Sequence, residues 1–141
     1  MQGGSALSFV YTHAGDSNDD FGWLEVKLTG TQFGGTGGFW IQWQEFAELG
    51  TELAAYPIKA PIIYERGYEL CIGKDLIVRL AFSQLNARGQ VAVDVVLADM
   101  HDTDQRVTAR MLTGYADIAS FSAQLRKITE KINFTAELFG Q

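Results

Sequence analysis

Two short acidic segments carry the charge excess of this chain. Asp16, Asp19 and Asp20 stand in one, and Asp99, Asp102 and Asp104 stand in the other. The chain has 17 acids against 11 bases, a net charge of −6. Without those six aspartates the two signs balance. Carboxylates this dense could hold a hard cation or attract a basic partner. The run Asp16-Ser17-Asn18-Asp19-Asp20 begins like a calcium loop, a motif that requires glycine at its sixth position and glutamate at its twelfth. Phe21 and Lys27 stand there instead. An EF-hand is excluded, and a solvated turn is the simpler account of either segment.

Other residues with chemical potential lack companions. His13 and His101 each have aspartates nearby in sequence, but metal and acid–base sites need several convergent groups. Cys71 is the sole cysteine, which excludes an intrachain disulfide and Cys-based zinc sites. It lies between Leu70 and Ile72 with no local base to activate its thiol, so it reads as a packing residue. The run Gly34-Gly35-Thr36-Gly37-Gly38 could cradle a phosphate, but it opens onto Phe39-Trp40, a strand pattern, and carries no Lys-Ser/Thr pair. A flexible hairpin or bulge explains it better. No Gly-x-Ser-x-Gly elbow occurs either. No catalytic constellation emerges, no cofactor is implied, and a non-enzymatic role is favoured.

The aromatics are more suggestive. Trp23, Trp40 and Trp43 lie close in sequence to Phe21, Phe33 and Phe39. Phe39, Ile41 and Trp43 share parity. If they face a core, Trp40 turns the other way, toward the polar face expected to carry Arg79 and Arg110. Aromatic and arginine side chains are enriched at binding hot spots. Packing of Trp40 over the sheet is the competing account.

The elements that must position these residues follow from periodicity. Leu7 to Thr12 and Gly22 to Thr29 alternate as strands, and Gly30 to Gly38 reads as a connection to a third strand, Phe39 to Gln42. Trp43, Phe46, Leu49 and Leu53 then recur at helical spacing up to Pro57. Tyr68 to Ile72 reads as a short strand. From Asp75 to Thr113 three strands share one alternating register: Leu76, Val78, Leu80 and Phe82; Val91, Val93, Val95 and Leu97; Val107, Ala109 and Met111. With Asn86 to Gly89 and Asp99 to Gln105 as loops, Leu80 faces Val95, Leu97 faces Val107, and Asp94 lies opposite Arg110 with Arg79 on its diagonal. Ile118, Phe121, Leu125, Ile128 and Ile132 form a final helical stripe behind an N-cap at Asp117. That stripe is expected to pack on the inward face of the meander.

The reading is a single α+β domain over residues 1–141. Its core spans 6–132 and its tail 133–141. An antiparallel meander of six to seven strands carries two amphipathic helices, one after the third strand and one C-terminal. The apolar fraction of 47% and charged fraction of 20% are ordinary for a globular domain. No apolar stretch approaches a membrane span, and Met1-Gln2-Gly3-Gly4-Ser5 has no signal-peptide pattern, so a cytoplasmic protein is expected. Its acidity and lack of a Lys/Arg cluster argue against nucleic acid.

The order of parts resembles small bacterial proteins of uncharacterised function that include WapI-type immunity proteins. The shared features are the Phe33-Gly34-Gly35 turn and the helix with Trp43, Phe46, Leu49 and Leu53. The hairpin about Gly89 and the terminal helix with Asp117, Phe121 and Leu125 complete them, so the resemblance covers roughly Gly22 to Ile128. It implies a fold and brings no active-site residues.

Two functions are expected from these observations. The first is a protein-binding module, an immunity-type inhibitor of a basic partner, using Trp40, Arg79, Asp94, Arg110 and the two acidic loops. The alternative is a small-ligand or enzymatic domain with a Trp/Tyr-lined pocket between sheet and helix.

Overall fold

The computed structural model describes residues 4–13, 15, 20–69, 72–128 and 133–141. The fold is α+β, as expected, but the strands form two sheets instead of one meander. In chain order the elements are β1 (Ala6–His13), β2 (Phe21–Thr29), β3 (Gly34–Gln42), α1 (Gln44–Leu53), β4 (Ile62–Gly67), β5 (Leu76–Gln84), β6 (Gln90–Asp99), β7 (Asp102–Gly114), α2 (Tyr115–Arg126) and β8 (Phe134–Phe139). The sheets are antiparallel, with strand orders β3-β2-β1-β8 and β4-β5-β6-β7. Alternation assigns each residue to a face, but it does not say which sheet a strand joins after a helical crossover.

The expected register of the central strands holds throughout. Leu80 faces Val95, Phe82 faces Val93, Leu97 faces Val107, and Asp94 faces Arg110. The β6–β7 connection is shorter than expected: Asp99 already pairs with Asp102. The register shift between Ala98 and Asp99 leaves Thr103 to Gln105 as extra residues at the tip, outside the ladder. A slip inside the ladder would have turned the buried Val93, Val95 and Leu97 to water.

The glycine run lies inside β3 and is not a connection. The turn is only Thr31-Gln32, closed by the Gly30 N–H donating to the Phe33 carbonyl at 2.9 Å. A Cβ on Gly35 would strike Val107, and one on Gly37 would sit 3.0 Å from the Ala98 backbone N and O. These glycines let β3 cross directly over β6 and β7.

The C-terminal residues do not trail off. Leu138 pairs with Leu7 and Ala136 with Phe9, so β8 completes the first sheet beside β1. Ala136 and Leu138 are buried, an alternation too short to announce itself in the sequence.

Between the sheets one core contains Phe9, Tyr11, Leu80, Phe82, Val93 and Leu97, closed by Phe46 and Leu49 of α1 and Phe121 and Leu125 of α2. Phe121 meets Phe9 edge-on, with ring centroids 5.3 Å apart. The α2 stripe is buried as expected, but it lies against α1 and the β1–β8 side of the first sheet. The helices cross at Gly50, where a Cβ would meet Leu125 and Arg126, and Ser122 Oγ donates to the Gly50 carbonyl at 2.6 Å.

Three boundaries differ from expectation. Helix α2 starts behind Gly114, so Asp117 sits within its first turn and is not the N-cap. Helix α1 stops at Leu53, ahead of Pro57. The chain leaves β4 at Gly67, and Tyr68 and Glu69 are not in a strand. Cys71 and Ile132 lie outside the described residues.

Candidate docking surface

The outer face of the first sheet presents an aromatic surface. Trp23 of β2 stands directly opposite Trp40 of β3, and their rings meet in a T shape at 5.3 Å. Both point away from the core because their neighbours Leu24 and Ile41 point into it. Trp40 is 49% exposed and Phe21, two residues before Trp23 on the same face, is 43% exposed. Gly38 keeps the surface low: a Cβ there would meet the Trp23 ring at 2.6 Å. Half-buried tryptophans of this kind combine a large apolar area with little conformational entropy to lose.

One border of this surface is acidic. A groove of about 390 Å³ separates β3 from the β6–β7 turn, lined by Trp23, Glu25, Gly38, Asp99, His101 and Arg106 among others. Asp99 Oδ1 accepts the His101 N–H at 2.8 Å, and Asp102 Oδ2 accepts from Gln105 Nε2 at 3.2 Å. Asp104 pairs with Lys74 at 3.1 Å, both side chains largely in solvent. The groups within the turn are therefore wired to one another and shape it.

Asp20 precedes Phe21 and is tied to the start of α1. Its Oδ2 accepts from Gln44 Nε2 at 2.8 Å, and its carbonyl accepts the Trp43 N–H at 3.2 Å. Asp16 and Asp19 lie outside the described residues.

The remaining predicted site residues are elsewhere. Arg79, Asp94 and Arg110 lie on the outer face of the second sheet, so Trp40 does not share a face with them. Face parity was right within each strand, but the two faces belong to different sheets. Arg110 grips Asp94 with Nε to Oδ1 at 2.8 Å and Nη2 to Oδ2 at 3.4 Å. That hydrogen bond, reinforced by the carboxylate charge, raises the pKa of Arg110. Arg79 is diagonal to Asp94, as expected, but its Nε bonds Glu65 at 3.1 Å.

Sequence reasoning missed Trp23 and Glu25 as surface partners of Trp40, although the alternation of β2 carries that signal. It also missed a network beneath α1. Glu45 Oε1 accepts from Tyr64 Oη at 3.0 Å and from Arg66 Nε at 2.6 Å, while the Arg66 guanidinium lies 4.7 Å from the Tyr64 ring. Burial first, and then the Glu45 charge, raises the pKa of the Tyr64 phenol well above its ordinary value. Glu45 Oε2 also accepts the Gln42 N–H at 3.2 Å, joining the end of β3 to α1.

A tyrosine-lined cavity of about 370 Å³ does exist, but between the two helices, not between sheet and helix. Tyr56 and Tyr115 meet edge-on there at 4.6 Å. Two of its polar side chains are already engaged: Ser122 bonds Gly50, and Arg126 Nε donates to Ser122 Oγ at 3.2 Å. Among the described residues no three His, Cys, Asp or Glu side chains are grouped to hold a metal ion, and no helix is long and apolar enough to cross a membrane. No family model, curated protein or solved structure matches this chain.

Proposed function

We propose that this protein is a non-enzymatic protein-binding module, of the immunity-inhibitor kind, that docks a basic partner protein on the Trp23–Trp40 face. The observation that carries this reading is a tryptophan pair, with Trp40 half exposed and Trp23 partly buried against it, set beside an acidic turn. Tryptophan anchors supply affinity at such surfaces. Acidic side chains around them accelerate the encounter with a basic partner and add specificity. The interhelical cavity supports the ligand-binding alternative less well, because Ser122, Arg126 and Tyr115 already serve the fold.

The test starts from partner capture with the wild-type protein, followed by binding kinetics on the purified pair. Trp40→Ala should weaken the complex by about 30-fold, the loss of one hot-spot anchor. A partner bound equally well by the wild type and by Trp40→Ala would exclude this face as the docking surface.

A further inference from the structure

The second sheet ends on an edge whose backbone is turned outward. Gln141 donates its N–H to the Leu112 carbonyl of β7 at 2.8 Å, so the backbone groups of Leu112 point away from β6. Backbone groups along a strand alternate sides with a period of two, so Arg110 and Thr108 also turn theirs away from β6. The other side of β6 agrees. Leu85 donates to the Gln90 carbonyl at 2.7 Å, which turns the even-numbered residues of β6 toward β5 and leaves Val93 and Val95 to bond Met111 and Ala109.

Two other edges are protected. The Gln124 side chain bonds the backbone of β8 at Glu137. Strand β4 has six residues and a bulge. Such devices normally keep edges from pairing with other chains. Thr108 and Arg110 are exposed instead.

A cleft of about 540 Å³ lies along Thr108 to Leu112, and Leu28 and Phe33 line its other wall. Phe33 is 70% exposed and offers an apolar ring to whatever enters the cleft. Arg110 is the one charged side chain among the residues lining the cleft.

We propose that β7 accepts an extended strand of a partner polypeptide, paired through Thr108 and Arg110, with apolar side chains at alternate positions. Unpaired N–H and C=O groups spaced two residues apart are complementary to an extended backbone. Side chains on the core side of the added strand would enter the cleft beside Leu28 and Phe33. Those on the other side would lie next to Arg110 and one strand farther from its partner Asp94, so acidic residues are preferred there over basic ones. Gln141 already forms the first rung of such a strand. This site is separate from the Trp40 surface and does not depend on it.

The test uses a fluorescein-labelled hexapeptide of alternating valine and glutamate, followed by fluorescence anisotropy on the full chain. Saturable binding is expected, and Thr108→Pro should weaken it by about tenfold or more. Because the Thr108 N–H faces away from β6, proline there removes no ladder bond, and the melting curve should stay intact. A second arm leaves the protein unchanged. N-methylation of alternate residues on one edge of the peptide should abolish binding, and on the opposite edge should preserve it.

Three results would overturn the proposal. One is no saturable binding at about 1 mM peptide. Another is binding indifferent to which edge is N-methylated. The third is a wild-type dimer in sedimentation that Thr108→Pro converts to monomer, which would assign the edge to a second copy of this chain.

Discussion

Gln124 acts as a surrogate strand for β8. From α2 its side-chain amide donates to the Glu137 carbonyl at 3.1 Å and accepts the Glu137 N–H at 2.9 Å. One side chain thereby fills the place that a neighbouring strand would take and ties helix to sheet. Gln124→Ala should lower stability by about 1–2 kcal/mol, the sum of two ordinary hydrogen bonds. Faster amide exchange at Glu137 should accompany it. Unchanged exchange there would show that water replaces the side chain without loss.

Phe121 is fully buried against Phe9. Phe121→Ala should cost about 3–5 kcal/mol, the usual loss for a buried aromatic. Phe121→Leu retains most of the apolar area and should cost less. Urea unfolding of the two variants separates the transfer contribution from the ring contact, and equal losses would argue that the ring geometry dominates.

Gly37 tests the crossing of the two sheets. An added Cβ would meet backbone atoms of Ala98 at 3.0 Å, and backbone cannot turn aside as a side chain can. Gly37→Ala should therefore destabilise by about 1–3 kcal/mol, as overpacking does, despite the better strand propensity of alanine. A neutral or stabilising result in thermal melts would mean that the sheets slide apart easily at this point.

The contrast between β3 and β6 shows what the sequence made legible. In β6, four buried apolar residues at every second position pin the register, because a slip by one would expose them all. In β3 the informative residues are glycines, whose role depends on Val107 and Ala98 some 60 to 70 residues away. Nothing local distinguishes a glycine that frees a loop from one that admits a second sheet. The same applies to β8, where Ala136 and Leu138 acquire meaning only from pairing with β1. The site followed this pattern. Trp40 could be placed on an outward face by parity, but its partner Trp23 required knowing that β2 and β3 are neighbours.

Tyr64 gives a pH signature. Its phenol donates to Glu45 and ionises less readily in the folded protein than in the unfolded chain, mainly because it is buried. Below pH ~10 both states keep the phenol protonated, and its hydrogen bond to the carboxylate contributes about 1–2 kcal/mol. Above that pH the unfolded chain ionises first, so stability falls as the pH rises toward the folded-state pKa. The wild type should exceed Tyr64→Phe in stability at pH 7, and the gap should narrow above pH ~10. Denaturant midpoints across this range measure it. A constant gap would contradict the raised pKa.

The acidic turn separates folding from recognition. Asp99 uses Oδ1 to hold the His101 N–H, and asparagine keeps an oxygen in that place. Asp102 bonds Gln105 within the turn, and the Asp104–Lys74 pair is exposed, so neither holds the core together. Replacing all three aspartates with asparagine should shift stability by less than about 0.5 kcal/mol. Asp99→Ala removes the acceptor and should loosen the turn, seen as faster exchange of the His101 amide. With the captured partner, the triple variant should associate more slowly at low salt and show a flatter salt dependence, while dissociation changes little. Slower dissociation cannot arise from lost steering. An association rate equal to that of the wild type at low salt would remove the acidic turn from the recognition surface and leave Trp23 and Trp40 to account for binding alone.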